Sequence, residues 1–260
     1  MDFIRPINWD AAHASFEGGY KGQFLYCGES CAIIATFVPP GVGGPPNHRH
    51  SYSDQCYLVV DGEITIKLGS EIKKAPRHSL IFIPSGVPHH NWNEGSEPDI
   101  HIEVIAPNVL PTQPIVDFAD DDDARGLPYY VKQYDATTAV EPIPGFKQGW
   151  LANRDSGAVH AGIYIAEMAP SGAGPQLHIH DFDQFYFVLE GTLNVQIGFD
   201  EHAVGPNTLV VLPAGVPHRQ WNASAEPELH AAILVPEPPF KPHEAPWDVG
   251  VVYEKGEPVG

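Results

Sequence analysis

The chain is poor in three things that usually announce a class of protein: cysteine, basic side chains and long apolar runs. Three cysteines, Cys27, Cys31 and Cys56, are too few and too odd in number for a disulfide framework, and they read as small buried hydrophobes. Lys and Arg number 14 against 33 Asp and Glu, giving a net charge of -19. A polyanion would be repelled by that field, so nucleic acid is not an expected partner. No apolar stretch approaches the roughly 18 residues of a membrane-spanning helix, and "MDFIRPINWD" has neither the basic nor the apolar region of a secretory leader. The expectation is a cytoplasmic protein without a membrane partner. The acidic run "DFADDDDARG" (117–126) lacks the ligand spacing and glycine of a calcium loop and reads as a solvated connection between folded units.

What the chain does have is itself, twice. "PPNHRHSYSDQCYLVVDGEITI" (45–66) matches "GPQLHIHDFDQFYFVLEGTLNV" (174–195). His48 and His50 recur as His178 and His180 at a spacing of 130. Gln55, Gly62, His89, Asn93 and His101 recur at 129, as Gln184, Gly191, His218, Asn222 and His230, so one residue separates the two registers. The copies also begin alike, "GGYKGQFL" (18–25) against "PGFKQGWL" (144–151). Two domains are therefore expected, 1–125 and 126–260, the second with a Pro-rich tail, "EPPFKPHEAPWDVG" (237–250), lying along the outside as an arm.

Within each copy the hydrophobic period is two. Short β-branched and aromatic runs such as "QCYLVV", "EITIKL" and "SLIFIP" alternate with "DG", "EG", "PSG" and "PAG" turns, and long helical periodicity is absent. This is the pattern of an all-β protein made of two tandem barrels. Residues i and i+2 of a strand share a face with Cα atoms about 6–7 Å apart, so His48 with His50, and His178 with His180, can reach one ion. Alternation in "QFYFVLEG" puts Gln184, Tyr186 and Val188 on one face, and the turn in "PAGVPHRQWN" delivers His218 to a strand start. Gln55 and His89 follow in the first copy.

The pattern His-x-His, Gln, Gly, then Pro-x-Gly-x-x-His-x-x-x-Asn resembles the two sequence motifs of the cupin superfamily, and its duplication resembles a bicupin. The resemblance implies a jelly-roll β-barrel per copy. It also implies one divalent metal held by three His and, usually, one Glu. Here Gln55 and Gln184 stand at the Glu position, and His78 and Asn207 stand where the second motif commonly begins with Gly. The metal ligands expected are His48, His50, Gln55 and His89 in the first copy and His178, His180, Gln184 and His218 in the second. Each set would bind a divalent transition ion (Fe, Mn, Zn, Co or Ni), up to two per chain.

Glutamine offers the ion a neutral oxygen in place of an anionic one, so the ion keeps its dipositive charge and acts as a stronger Lewis acid. It also removes a ligand carboxylate that might have moved protons. If His101 faces inward, so does Glu103, whose counterpart is Ala232, and the first copy alone would own an acid or base. Tyr57 and Tyr186 face inward by the same parity and are candidates for substrate contacts, against the plainer role of filling the barrel. The expected activity is that of a metal-dependent isomerase, cyclase or lyase on a small carbonyl- or hydroxyl-bearing substrate. An Fe(II) ring- or C–C-cleaving dioxygenase and a non-catalytic binding barrel are the alternatives, and homodimerisation is left open.

Overall fold

The computed structural model describes residues 2–14, 17–110, 112–238 and 249–250. The two short 3-10 turns, Glu17–Gly19 and Arg154–Ser156, are the only helical elements among the described residues. The first half builds a seven-stranded sheet in the order Tyr130–Gln133, Ser79–Ile83, Asp54–Asp61, Asp99–Ala106, Ala32–Val38, Lys21–Cys27, His13–Ala14. A five-stranded sheet of Asp117–Phe118, His48–Arg49, His89–Trp92, Glu63–Leu68 and Glu71–Pro76 completes it. In the second half the seven strands run Ile4–Pro6, Thr208–Leu212, Asp183–Glu190, Glu228–Val235, Gly162–Met168, Phe146–Ala152, Val140–Ile143. The matching five are Asp200–Val204, Leu193–Ile197, His218–Trp221, His178–Ile179 and Val249–Gly250. The chain is thus all-β, a pair of double-sheet barrels, as the alternation predicts.

Strand parity sorts the side chains into three cores. Tyr57 and Val59 point into the first barrel beside Ile64, Ile66 and Leu68, and Tyr186 and Val188 point into the second. The opposite parity, Cys56, Leu58 and Val60 with Phe185, Phe187 and Leu189, forms a third core shared by both halves. The central strands of the two large sheets are therefore buried on both faces, which is why "CYLVV" and "FYFVL" are apolar at every position instead of alternating with polar residues.

The turns repeat with the strands. Gly62 and Gly191 sit at φ 76° and 75°, and a Cβ at either would lie 2.4 or 2.5 Å from the carbonyl oxygen of Pro98 or Pro227. Only glycine meets both demands. His78 and Asn207 adopt φ 62° and 60°, so the left-handed turn persists without the glycine, at a cost of about 1–2 kcal/mol each. Asp54 and Asp183 accept from the backbone N–H of Ser85 and Ala214, each at 2.9 Å. These bonds fix the "PSG" and "PAG" turns that lead into His89 and His218.

Edge strands cross between the two halves: Ile4–Pro6 pairs with Thr208–Leu212 of the second half, and Tyr130–Gln133 pairs with Ser79–Ile83 of the first. The acidic run is exposed over residues 120–123, as expected of a solvated connection, and it also serves as a strap. Asp117–Phe118 pairs with Arg49 and His48, Arg49 bridges to Asp121 at 2.8 Å and Lys67 to Asp122 at 2.7 Å. Cys27 is exposed, whereas Cys31 and Cys56 are buried as expected, and all three are free thiols. Most of the Pro-rich tail lies outside the described residues; its Val249–Gly250 pairs with Ile179 and His178, mirroring the strap of the first half. No described helix is long and apolar enough to cross a membrane.

Candidate metal centre

In each barrel a two-residue strand carries the first histidine of the His-x-His pair, the second following directly after it, and lies antiparallel to the strand opened by the third histidine, with His48 opposite His89 and His178 opposite His218. One ring nitrogen from each of His48, His50 and His89 lies within 4.8 Å of the others, and the same is true of His178, His180 and His218. The ring centroids are 4.2–5.3 Å apart in the first triad and 4.5–5.5 Å in the second.

The backbone fixes the tautomers. A carbonyl oxygen only accepts, so each Nδ1 that faces one must carry the proton and leave a lone pair on Nε2. His48 donates to Pro46 (2.8 Å), His50 to Ile115 (2.6 Å) and His89 to Val87 (3.0 Å). In the second barrel His178 donates to Gln176 (2.6 Å), His180 to Phe182 (3.2 Å) and His218 to Val216 (2.9 Å). The Nε2 atoms of His50 and His89 and the Oε1 of Gln55 are left buried with no hydrogen-bond partner. In the second barrel Oε1 of Gln184 lies 2.8 and 3.0 Å from the Nε2 atoms of His180 and His218. With every Nδ1 already protonated, these are lone pairs turned on one another, an arrangement that a shared cation reconciles. The residues present fit a divalent ion in both barrels.

Electrostatics favours the ligating form. Burial and the neighbouring His50 lower His48 to about 4. Burial, only partly offset by the Gln184 carbonyl, which favours a charged ring, lowers His180 to about 4 as well. His89 and His218 are held well below the ordinary imidazole range by burial and by the adjacent rings. All are neutral at pH 7, as ligation requires.

The barrels differ at Glu103. Its Oε2 accepts from Nε2 of Gln55 at 2.7 Å, which turns the glutamine carbonyl toward the histidines. Its Oε1 accepts from Thr36 (2.6 Å) and Tyr20 (3.2 Å) and lies 3.5 Å from Nε2 of His101. His101 in turn donates to Asp99 at 2.6 Å. Burial opposes the charge on His101, but Asp99 and Glu103 outweigh it and push the ring up to about 9. Burial likewise opposes ionisation of Glu103, yet its bonds to His101 and Thr36 prevail and hold the carboxyl below its usual range. Ala232 pairs with Tyr186 where Glu103 pairs with Tyr57, so Gln184 has no carboxylate at that place. His230, fully buried, donates to Glu228 at 2.9 Å.

His48, His50, Gln55, Tyr57 and Glu103 all border one cavity of about 250 Å³. Tyr186, by contrast, donates to Gln220 at 2.8 Å and has no exposed surface, so it belongs to the packed interior. Asp99, Glu228, Tyr20, Thr36 and the Ile115 carbonyl escape motif reading. Only the first two carry a signal, an acidic residue two before His101 and His230 at the common spacing of 129.

Comparison with known proteins places this geometry. Salicylate 1,2-dioxygenase from Pseudaminobacter salicylatoxidans superposes with a TM-score of 0.67 at 14% identity, over 81% of this chain and 72% of that one. Bacillus subtilis oxalate decarboxylase, described with Mn(II) centres, gives 0.68 at 14% identity, over 95% and 79%. A glyoxylate-induced protein from Pseudomonas aeruginosa gives 0.73 at 15% identity, over 92% and 89%. Identities this low establish shared fold alone. A germin-like protein 9-2 of Oryza sativa subsp. japonica is 30% identical over 105 residues, 37% of this chain and about half (49%) of that protein's length. The cupin domain family matches residues 36–105 and again 164–235, and with a histidine triad in each matched segment the chain belongs to the cupins as a two-barrel member, a bicupin.

Proposed function

We propose that the chain is a metal-dependent enzyme whose first barrel binds a small carbonyl- or hydroxyl-bearing substrate, and that its reaction is an isomerisation, cyclisation or elimination. The observation that carries this reading is the Gln55–Glu103 pair at the wall of the first cavity. An ion held by His48, His50, His89 and Gln55 would retain its dipositive charge and polarise a substrate oxygen. Fe, Mn, Zn, Co and Ni all suit three imidazoles and an amide oxygen.

The chain's own groups supply the rest. Glu103, ionised and bordering the cavity, takes a proton from the carbon beside the polarised carbonyl. Thr36 and Tyr20 hold its Oε1, and Gln55 its Oε2, so the carboxylate is presented in one orientation. Burial keeps Tyr57 protonated, its pKa well above the ordinary phenol value, so it serves as a donor to a substrate oxygen. The second barrel would hold an ion through His178, His180, Gln184 and His218, with Ala232 in the place that Glu103 takes in the first.

The test begins with elemental analysis. Two ions per chain are expected, and His89→Ala and His218→Ala should each remove about one equivalent. The metal-loaded protein is then screened anaerobically on hydroxycarbonyl compounds, where Glu103→Gln should abolish turnover while retaining metal. Turnover that appears only with iron and consumes dioxygen would replace this reading with the dioxygenase one. A protein with no bound ion would end both.

A further inference from the structure

The two barrels keep the same ligand set but not the same approach to it. In the first, Phe24, Ile34, Glu103 and Tyr57 form one row across four strands. The row grades from an ionised group at the ligands to apolar side chains at the mouth. The same row in the second barrel reads Trp150, Tyr164, Ala232, Tyr186. Tyr164 is buried there, and Trp150 packs on it with ring centroids 4.9 Å apart. Gly22 and Tyr20 of the first barrel correspond to Gln148 and Phe146, both buried. Along this row the second barrel thus sets Tyr164, Trp150 and Gln148 where the first has Ile34, Phe24 and Gly22, which border its cavity.

The chemistry of that cavity selects its occupant. Beyond the ligands, Glu103 and its partners, Tyr57 and Gly22, the walls are Phe24, Ile34, Pro45, Ile105, Ile115 and Val116. Among the described residues that line it there is no Lys or Arg. A second anionic group on a substrate would therefore be desolvated against hydrocarbon with no counter-charge, which is costly. An apolar ring would gain instead. The volume agrees: a cavity of about 150 Å³ takes a benzene ring, and the 250 Å³ here leaves room for a short oxygenated head.

We infer that the first barrel takes a compact hydroxycarbonyl compound with an apolar body of ring size and no more than one negative charge, its oxygens toward the triad and its body against Phe24, Ile34 and Ile115. This rests on the first triad being a metal centre. It sets aside small dicarboxylates and phosphorylated sugars as substrates.

Mandelate and tartronate make a matched pair of probes, since both carry a 2-hydroxy acid head and differ by a phenyl ring against a second carboxylate. Calorimetric titration of the cobalt-loaded protein should show one mandelate per chain, bound at least tenfold more tightly than tartronate. Ile34→Tyr, which installs the second barrel's residue, should weaken mandelate at least tenfold with both ions retained. Ile115→Lys changes a side chain that is 52% exposed and supplies the missing cation without touching the core, so the preference should narrow or reverse. Tartronate binding as tightly as mandelate, or either variant leaving the preference unchanged, would overturn the inference. Elemental analysis before any ligand is added separates that failure from loss of the metal centre itself.

Discussion

Gln55 and Gln184 occupy equivalent places, yet only Gln55 is held by a carboxylate, and that difference sets what each side chain can do. With Glu103 fixing its amide, the Gln55 carbonyl is presented to an ion at no further entropic cost. Glu103→Ala should weaken metal at the first site by about 10–100-fold and leave the second unaffected, as competition titration against a chelator would show. His101 gives a pH signature. Its ring rises to about 9 in the fold from about 6.5 unfolded, so the stability it contributes is complete below about 6.5 and is lost as pH rises through about 9. The metal-free protein should lose melting temperature between pH 7 and 9.5, and His101→Gln should flatten that slope. The triads and both glutamines were legible because a repeated spacing is a stronger signal than any single motif, and the parity that turned His101 inward turned Glu103 inward too, without showing that it meets Gln55. Tyr20 and Thr36 reach Glu103 from segments distant in sequence, and nothing local marks them.

At the scale of elements, alternation identified the strands but not their partners. The strap at Asp117–Phe118 is too short for a period, and its carboxylates, read as solvated charge, are in part anchors for Arg49 and Lys67. Its backbone also reaches the centre, through the Ile115 carbonyl that orients His50. The exchange of Ile4–Pro6 and Tyr130–Gln133 between halves was equally hidden, since an edge strand carries no address for the sheet that receives it. Deleting residues 1–6 removes that edge pairing and the bond from Arg5 to the Leu25 carbonyl at 2.7 Å. A loss of about 2 kcal/mol is expected from the missing hydrogen bonds, measurable by urea denaturation, together with a greater tendency to aggregate from the bared strand Thr208–Leu212.

At the scale of the whole molecule, the core shared by the two large sheets makes the halves one thermodynamic unit. Phe185 is fully buried there, and Phe185→Ala should cost about 3–5 kcal/mol. Calorimetry should still show a single transition, and two resolved transitions would mean that the barrels unfold independently. The crossed edge strands carry this further. Cut free of its sibling, either half would possess one tongue with no slot and one slot with no tongue, and two identical fragments would cure each other's defect. A lone half is thus expected to behave as an obligate twin in solution, and the duplicated gene product as that twin permanently tethered.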